Sequence, residues 1–216
     1  GNKYSLWVNV YGVSERYLNV YGEKDLRAQM NQFFHRTYTH PVDGTTLDMK
    51  MLCNWYWYDE TAILETGKGT KDWNFYRYAE TLLSAAEAIA QSSGVNAEAA
   101  GYLAQVKARA NMEGKDVSTI ASELQRLGKQ AFIEECWKER LREFPLEMKI
   151  WDDCVRTGKF PQISATNKGE VQFVDLIGAK NGSGATFKAT DLYWPIPVNE
   201  IQRNPNLTQN EGYSAK

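Results

Sequence analysis

The sequence predicts a mostly α fold. It should be built of tetratricopeptide-like helix pairs with long irregular loops, a few short β-strands and an extended C-terminal tail. Three observations carry that expectation: two successive helical stripes between Trp73 and Ala110, a third from Ser118 to Phe144, and an end rich in Asn and Pro. In the first stripe Phe75, Tyr78, Ala79, Leu82, Leu83, Ala86, Ile89 and Ala90 recur at the spacing of one buried helix face. Asp72 stands where it would cap the first turn. The pattern breaks at Ser92-Ser93-Gly94 and resumes with Ala99, Leu103, Val106 and Ala110. A short polar turn makes the two helices antiparallel, and the alanines let their backbones approach. One such hairpin is a scaffold and does not by itself make a repeat.

Upstream, Tyr4–Tyr11 and Tyr17–Tyr21 are β-branched and aromatic, which predicts short strands or extended chain over residues 4–24. Asp25 to Arg36 reads as a short helix that ends before the turn at His40-Pro41-Val42-Asp43-Gly44. Residues 48–58 alternate, with Met49, Met51, Cys53, Trp55 and Trp57 on one face and Lys50, Leu52, Asn54, Tyr56 and Tyr58 on the other. The third helical stripe has Ser118 as its expected N-cap and stops at Pro145. A helical piece from Leu146 to Arg156 follows, closed by Gly158. Residues 159–190 read as loop with a weak strand at Val171–Ile177. The tail, Leu192 to Tyr213, should lie over the helices with Trp194, Pro195, Ile196 and Pro197 as anchors. With no linker in sight, residues 1–216 read as a single compact unit.

A net charge of −2 argues against nucleic acid as partner, since no basic excess is present to hold phosphates. No uninterrupted apolar run reaches the ~18 residues of a membrane span. Gly1 to Ser5 have no secretory pattern, so any export signal or lipid anchor is expected upstream. Cys53, Cys136 and Cys154 are odd in number and lack CxxC spacing, which predicts core thiols rather than disulfides or zinc ligands. With 7 Trp, 12 Tyr and 8 Phe, the rings exceed what a core of this size needs and point to a surface for flat, partly apolar partners.

The tail carries a resemblance. Leu192-Tyr-Trp-Pro-Ile-Pro-Val-Asn-Glu-Ile-Gln-Arg-Asn-Pro-Asn-Leu-Thr-Gln-Asn-Glu-Gly-Tyr213 closely resembles the C-terminal signature of the SusD/RagB family, cell-surface nutrient-binding lipoproteins of Gram-negative glycan-uptake systems. Arg77-Tyr-Ala-Glu-Thr-Leu-Leu-Ser-Ala-Ala-Glu87 with Val106-Lys-Ala-Arg-Ala110 is similar to its helix pair, and Glu139, Arg140, Glu143, Glu147, Asp153, Arg156 and Gly158 to its charged helix motif. Met148 and Ile150 stand where the family usually has Gly and Arg, and Pro145 is a further departure. The resemblance implies a C-terminal SusD/RagB-type domain without the family's N-terminal helices. It further implies non-catalytic oligosaccharide or polysaccharide binding at the outer membrane, beside a SusC-like TonB-dependent transporter and without a cofactor. Two other readings compete. One is a helical scaffold docking on the transporter, with ligand contacts upstream; the other is a glycosidase.

For a glycan, the C–H face of a pyranose needs a ring to pack on and its hydroxyls need polar groups at the edge. Asn54, Tyr56, Tyr58, Asp59, Trp73 and Asn74 are the candidates. Trp55 and Trp57 share a face with Met49 and Met51 and read as core, which leaves Tyr56, Tyr58 and Trp73 as the outward rings. Two carboxylates at the right separation would serve a glycosidase. The acids of 139–153 fall at helical spacing, where ion pairs explain them, with Arg156 buried against Asp153. His35 and His40 lack a third metal ligand at suitable spacing. The glycines of 178–184 lack the ending of a phosphate loop, and no Ser or Cys stands in a nucleophile motif.

Overall fold

The structure is a computed structural model that describes residues 12–214, so the strand expected at Tyr4–Tyr11 lies outside the described residues. Where the sequence predicts a single unit, the chain's contacts form two: Gly1–Ile150 with Ile163–Gln172, and Trp151–Gln162 with Phe173–Lys216. The division falls at a helix start and across a strand pair, so no linker composition marks it.

The first unit holds the helical layer. Helix α1 (Tyr78–Ser93) ends at Gly94, whose φ of +85° suits a residue without Cβ. Helix α2 (Ala97–Ala108) starts at Asn96, whose side chain accepts from Ala99 N at 2.9 Å. Ala86 and Ala90 of α1 and Ala99, Ala100 and Ala104 of α2 are fully buried, as the alanine pairing predicts. The start of α1 differs. Asp72 caps nothing there, because the chain stays extended until Arg77, the residue at the N-cap. Phe75 and Tyr78 consequently fall outside the buried stripe and are exposed.

The stripe expected from Ser118 to Phe144 is two helices, α3 (Val117–Leu124) and α4 (Lys129–Glu143). Asp116, and not Ser118, is the N-cap: its Oδ1 accepts from Thr119 N at 2.8 Å and from the Ser118 hydroxyl at 2.9 Å. Gly128, in extended conformation, separates the two helices. Ile120, Leu124, Phe132, Ile133, Cys136 and Phe144 close the core against α1 and α2.

Beyond Phe144 the chain turns sharply, with both Leu146 and Met148 near φ +60°. This is the left-handed region that costs an L-residue roughly 1–2 kcal/mol and glycine almost nothing. Met148 is the position where the family resemblance expects Gly, and its side chain is 69% exposed. Met148→Gly is therefore expected to stabilise the chain by about 1 kcal/mol, since it relieves strain and loses little packing. A urea midpoint at or below that of the parent chain would refute this.

Three corrections concern the β-hairpin of the first unit. Asp25–Arg36 is no helix: Asp25 caps a 3-10 turn at Leu26–Ala28, and strand β1 (Phe34–Thr39) follows. The segment lacks an apolar helical stripe, and Arg27 is drawn into a buried ion cluster instead. β1 pairs antiparallel with β2 (Thr46–Asn54), with Tyr38 opposite Leu47 and Phe34 opposite Asn54. The register slips between His35 and Thr37, where β2 bulges and Lys50 adopts φ +61°. The bulge exchanges the faces, so Leu52 is 4% exposed and Met51 is 36% exposed, the reverse of strict alternation. The strand also stops at Asn54, and Trp55–Trp57 form a 3-10 turn.

Residues 15–20, expected as extended, are a 3-10 helix (Glu15–Val20). It aims Tyr17 and Tyr21 at the C-terminal end of α4, where their hydroxyls donate to the carbonyls of Leu141 (2.6 Å) and Arg142 (2.9 Å). Beside them lies the ion cluster. Arg27 is 2.7 Å from Asp25, 2.8 Å from Glu139 and 3.0 Å from Glu143. Arg142 reaches Glu135 and Glu139, Arg109 reaches Glu143, and Arg77 bridges Glu143 and Glu147. Arg140 pairs separately with Glu80 at 3.3 Å.

In the second unit, helix α5 (Ile150–Thr157) ends at Gly158 with φ +66°. Asp153 and Arg156 pair at 2.7 Å, but the arginine side chain is exposed and not buried as expected. Strand β3 (Lys159–Ile163), read from sequence as loop, pairs with β4 (Val171–Asp175). The tail is not extended throughout, since it contains a 3-10 turn (Ala189–Leu192) and a short helix α6 (Val198–Arg203). Trp194 is no buried anchor: it is 87% exposed. The tail closes on itself through polar groups. Gln209 hydrogen-bonds both the N–H and the carbonyl of Ile196 (2.8 and 2.9 Å), and the Tyr213 hydroxyl donates to the carbonyls of Thr190 and Tyr193 (3.0 and 2.9 Å).

Candidate binding site

The predicted ring cluster grows from the end of β2. Asn54 is committed to structure in both directions. Its Oδ1 accepts from Tyr56 N at 2.8 Å, and its Nδ2 donates to the Pro145 carbonyl at 2.7 Å. This fastens the 3-10 turn of Trp55–Trp57 to the turn after α4, where Trp57 Nε1 also donates to the Leu146 carbonyl at 3.3 Å.

Asp59 is likewise structural. Its Oδ1 accepts from Ala62 N at 3.1 Å, and its Oδ2 accepts from Thr70 N at 2.7 Å and Lys71 N at 3.1 Å. Those backbone donors, Thr70 foremost, hold its carboxyl below the usual carboxylate range. The latch folds the π-helical turn Ala62–Thr66 back on itself and delivers residues 71–74 to the aromatic turn.

Tyr56, Trp73 and Asn74 are thereby brought together. Asn74 Nδ2 donates to the Tyr56 hydroxyl at 3.0 Å. Trp73 packs on Trp57 with centroids 4.5 Å apart and planes tilted by 36°, and is 45% exposed. The Tyr56 ring meets Trp57 edge-on at 4.8 Å and carries the Lys71 ammonium 4.8 Å from its centroid. Arg77 lies 5.6 Å from the same centroid.

Tyr58 belongs to a different group. It stacks on Trp55 at 4.5 Å, and Trp55 stacks on His35 at 3.9 Å. Partial burial holds the His35 pKa below the usual imidazole value. Trp55 and Trp57, read as core, are half-buried members of the two ring groups, because the alternation behind that reading ends at Asn54.

Tyr56 also forms one wall of a cleft of about 360 Å3, with Gln32, Phe33, Arg77, Arg109 and Glu143 among its other walls. No local motif announces Gln32 or Arg109 as neighbours of Tyr56, because they arrive from the 3-10 turn region and from the end of α2. The arrangement is suited to hold a ring with hydroxyls at its rim: an open indole face, a phenol, an amide and an ammonium. Among the described residues, no group of three or more His, Cys, Asp or Glu is placed to hold a metal ion. No helix among them is long and apolar enough to cross a membrane.

The SusD family profile matches residues 13–213. The chain belongs to the SusD family. Over 138 residues, 64% of its length, it is 36% identical to the starch-binding protein SusD of Bacteroides thetaiotaomicron, and that stretch is 21% of the relative. The crystal structure of a SusD superfamily protein from Parabacteroides distasonis matches it with a TM-score of 0.77 at 31% identity, over 93% of this chain and 41% of that one. This SusD-family chain therefore spans less than half the length of either relative. Its helical layer with, among the described residues, two small two-stranded sheets agrees with the mostly α fold expected.

Proposed function

We propose that this SusD-family chain binds an oligosaccharide or polysaccharide without cleaving it, with a sugar ring seated on Trp73. The observation that carries the reading is the Trp57–Trp73 pair beside the hydrogen-bonded Tyr56 and Asn74, an apolar plate with a polar edge. The starch-binding relative supports the ligand class. Binding without cleavage fits the carboxylates, which have other work: Glu139 and Glu143 are buried among arginines and Asp59 accepts three backbone N–H groups. On this reading the chain works at the cell surface of the outer membrane, held by a lipid anchor and beside a SusC-like TonB-dependent transporter. Docking on that transporter is the second reading, favoured by the exposed run of Phe75, Tyr76 and Tyr78.

Calorimetric titration with a panel of neutral polysaccharides tests the proposal. Trp73→Ala is expected to weaken binding about tenfold, the ~1.4 kcal/mol of one ring contact. Undiminished affinity in this variant would move the site elsewhere. Reducing ends released from any glycan would restore the glycosidase.

A further inference from the structure

We infer that the cleft beside Tyr56 receives a short neutral side branch of the glycan whose main chain lies on Trp73. This deepens the binding reading above and rests on it.

Tyr56 belongs to both places. Its hydroxyl is held by Asn74 next to the Trp57–Trp73 pair, while the residue also lines the cleft. A main-chain sugar on the plate therefore has a second opening beside it. The volume, about 360 Å3, lies at the low end of the ~300–1,000 Å3 that encloses small ligands, and fits one or two sugar rings rather than a length of polymer.

The cleft walls differ in what they leave free. Arg77 has one donor left: its Nε, both Nη2 hydrogens and one Nη1 hydrogen donate to Glu143 or Glu147. Arg109 gives only Nη2 to Glu143 Oε1, at 2.7 Å, so its Nε and Nη1 retain donors. The Gln32 carboxamide makes no side-chain hydrogen bond among the described residues, which leaves both a donor and an acceptor. Phe33 supplies an apolar wall. Spare neutral-amide groups, one guanidinium and a ring suit the hydroxyls and C–H face of a sugar. The three arginines of the cleft, Arg27, Arg77 and Arg109, are met by Asp25, Glu139, Glu143 and Glu147, so the cleft presents no unpaired charge that would call for an acidic sugar.

The test is titration of the whole chain with matched glycans that share a backbone: mannan against galactomannan oligosaccharides, xylan against arabinoxylan, and linear against α-1,6-branched glucan. For at least one pair the branched form is expected to bind ten times more tightly or better. Gln32→Trp, at an exposed rim position, should plug the cleft, remove that preference and keep the affinity for the linear form. Gln32→Ala should reduce the preference about threefold. Trp73→Ala should weaken both forms together. Equal affinity within every pair that binds, or a preference that survives the plug, overturns the branch site while the plate stands. No binding of any glycan by the parent chain overturns the plate and the branch site with it.

Discussion

Glu139→Ala is expected to cost about 3–5 kcal/mol of folding stability, seen as a large drop in the urea midpoint. Glu139 is fully buried and faces Arg27, Lys107 and Arg142, two of them also buried guanidiniums. Removing this carboxylate leaves Arg142 and Lys107 to share Glu135, and Arg27 to rely on Asp25 and Glu143, and a buried cluster short of one negative charge costs far more than an intact pair contributes. Acid should act on the same group. Burial alone would raise the Glu139 pKa, but the three cations outweigh it and hold the carboxyl well below its ordinary 4.5. A depressed folded pKa gives stability that is complete above the unfolded value and is lost as pH falls through the folded one. Stability is therefore expected to decline below about pH 4.5, and Glu139→Gln should flatten that decline. A parent chain as stable at pH 3 as at pH 7, or a loss below 1 kcal/mol in Glu139→Ala, would show that the cluster is not holding the fold.

Gly212→Ala should release the C-terminal clasp at a cost of about 2–5 kcal/mol, combining a left-handed backbone penalty with overpacking. Gly212 has φ +85°, and a Cβ there would lie 2.0 Å from Thr190 Cγ2 and 3.2 Å from Thr190 Cβ. Its neighbour Tyr213 carries the two hydrogen bonds that close the tail onto Thr190 and Tyr193. Amide exchange should therefore quicken over 189–213, with little change in α1 and α2. Thr190→Ala added to Gly212→Ala should recover part of the protection, because it removes the nearer of the two clashing carbons. Unchanged exchange in the tail of the single variant would refute the steric account.

What the sequence made legible follows from how local each signal is. The α1–α2 hairpin was readable because Ala86, Ala90, Ala99 and Leu103 repeat at helical spacing and Asn96 caps its own helix. The split between α3 and α4 was hidden because Leu124 and Phe132 lie on one apparent stripe, which a single Gly128 interrupts. Strand β2 is legible from its alternation but its faces are not, since the bulge at Lys50 depends on pairing with β1, whose first residues, 34–36, read as the end of a helix.

The candidate site shows the same limit. The aromatic surplus pointed at Tyr56 and Trp73, and these do meet with Asn74. Asn54 and Asp59 turned out to hold backbone, because an amide or carboxylate beside a turn satisfies nearby N–H groups first. The exposure of Trp194 could not be read at all. Indole hydrophobicity argues for burial, whereas the clasp is made by Gln209, Asn210 and Tyr213.

The Asp59 latch has a consequence for engineering. Because one carboxylate gathers amides from both ends of the segment between Ala62 and Thr70, the exposed residues 65–69 between them are expected to tolerate exchange. The latch on Thr70 and Lys71 should keep Trp73 and Asn74 in position through such exchanges, which makes 65–69 the natural place to graft new recognition without rebuilding the helices.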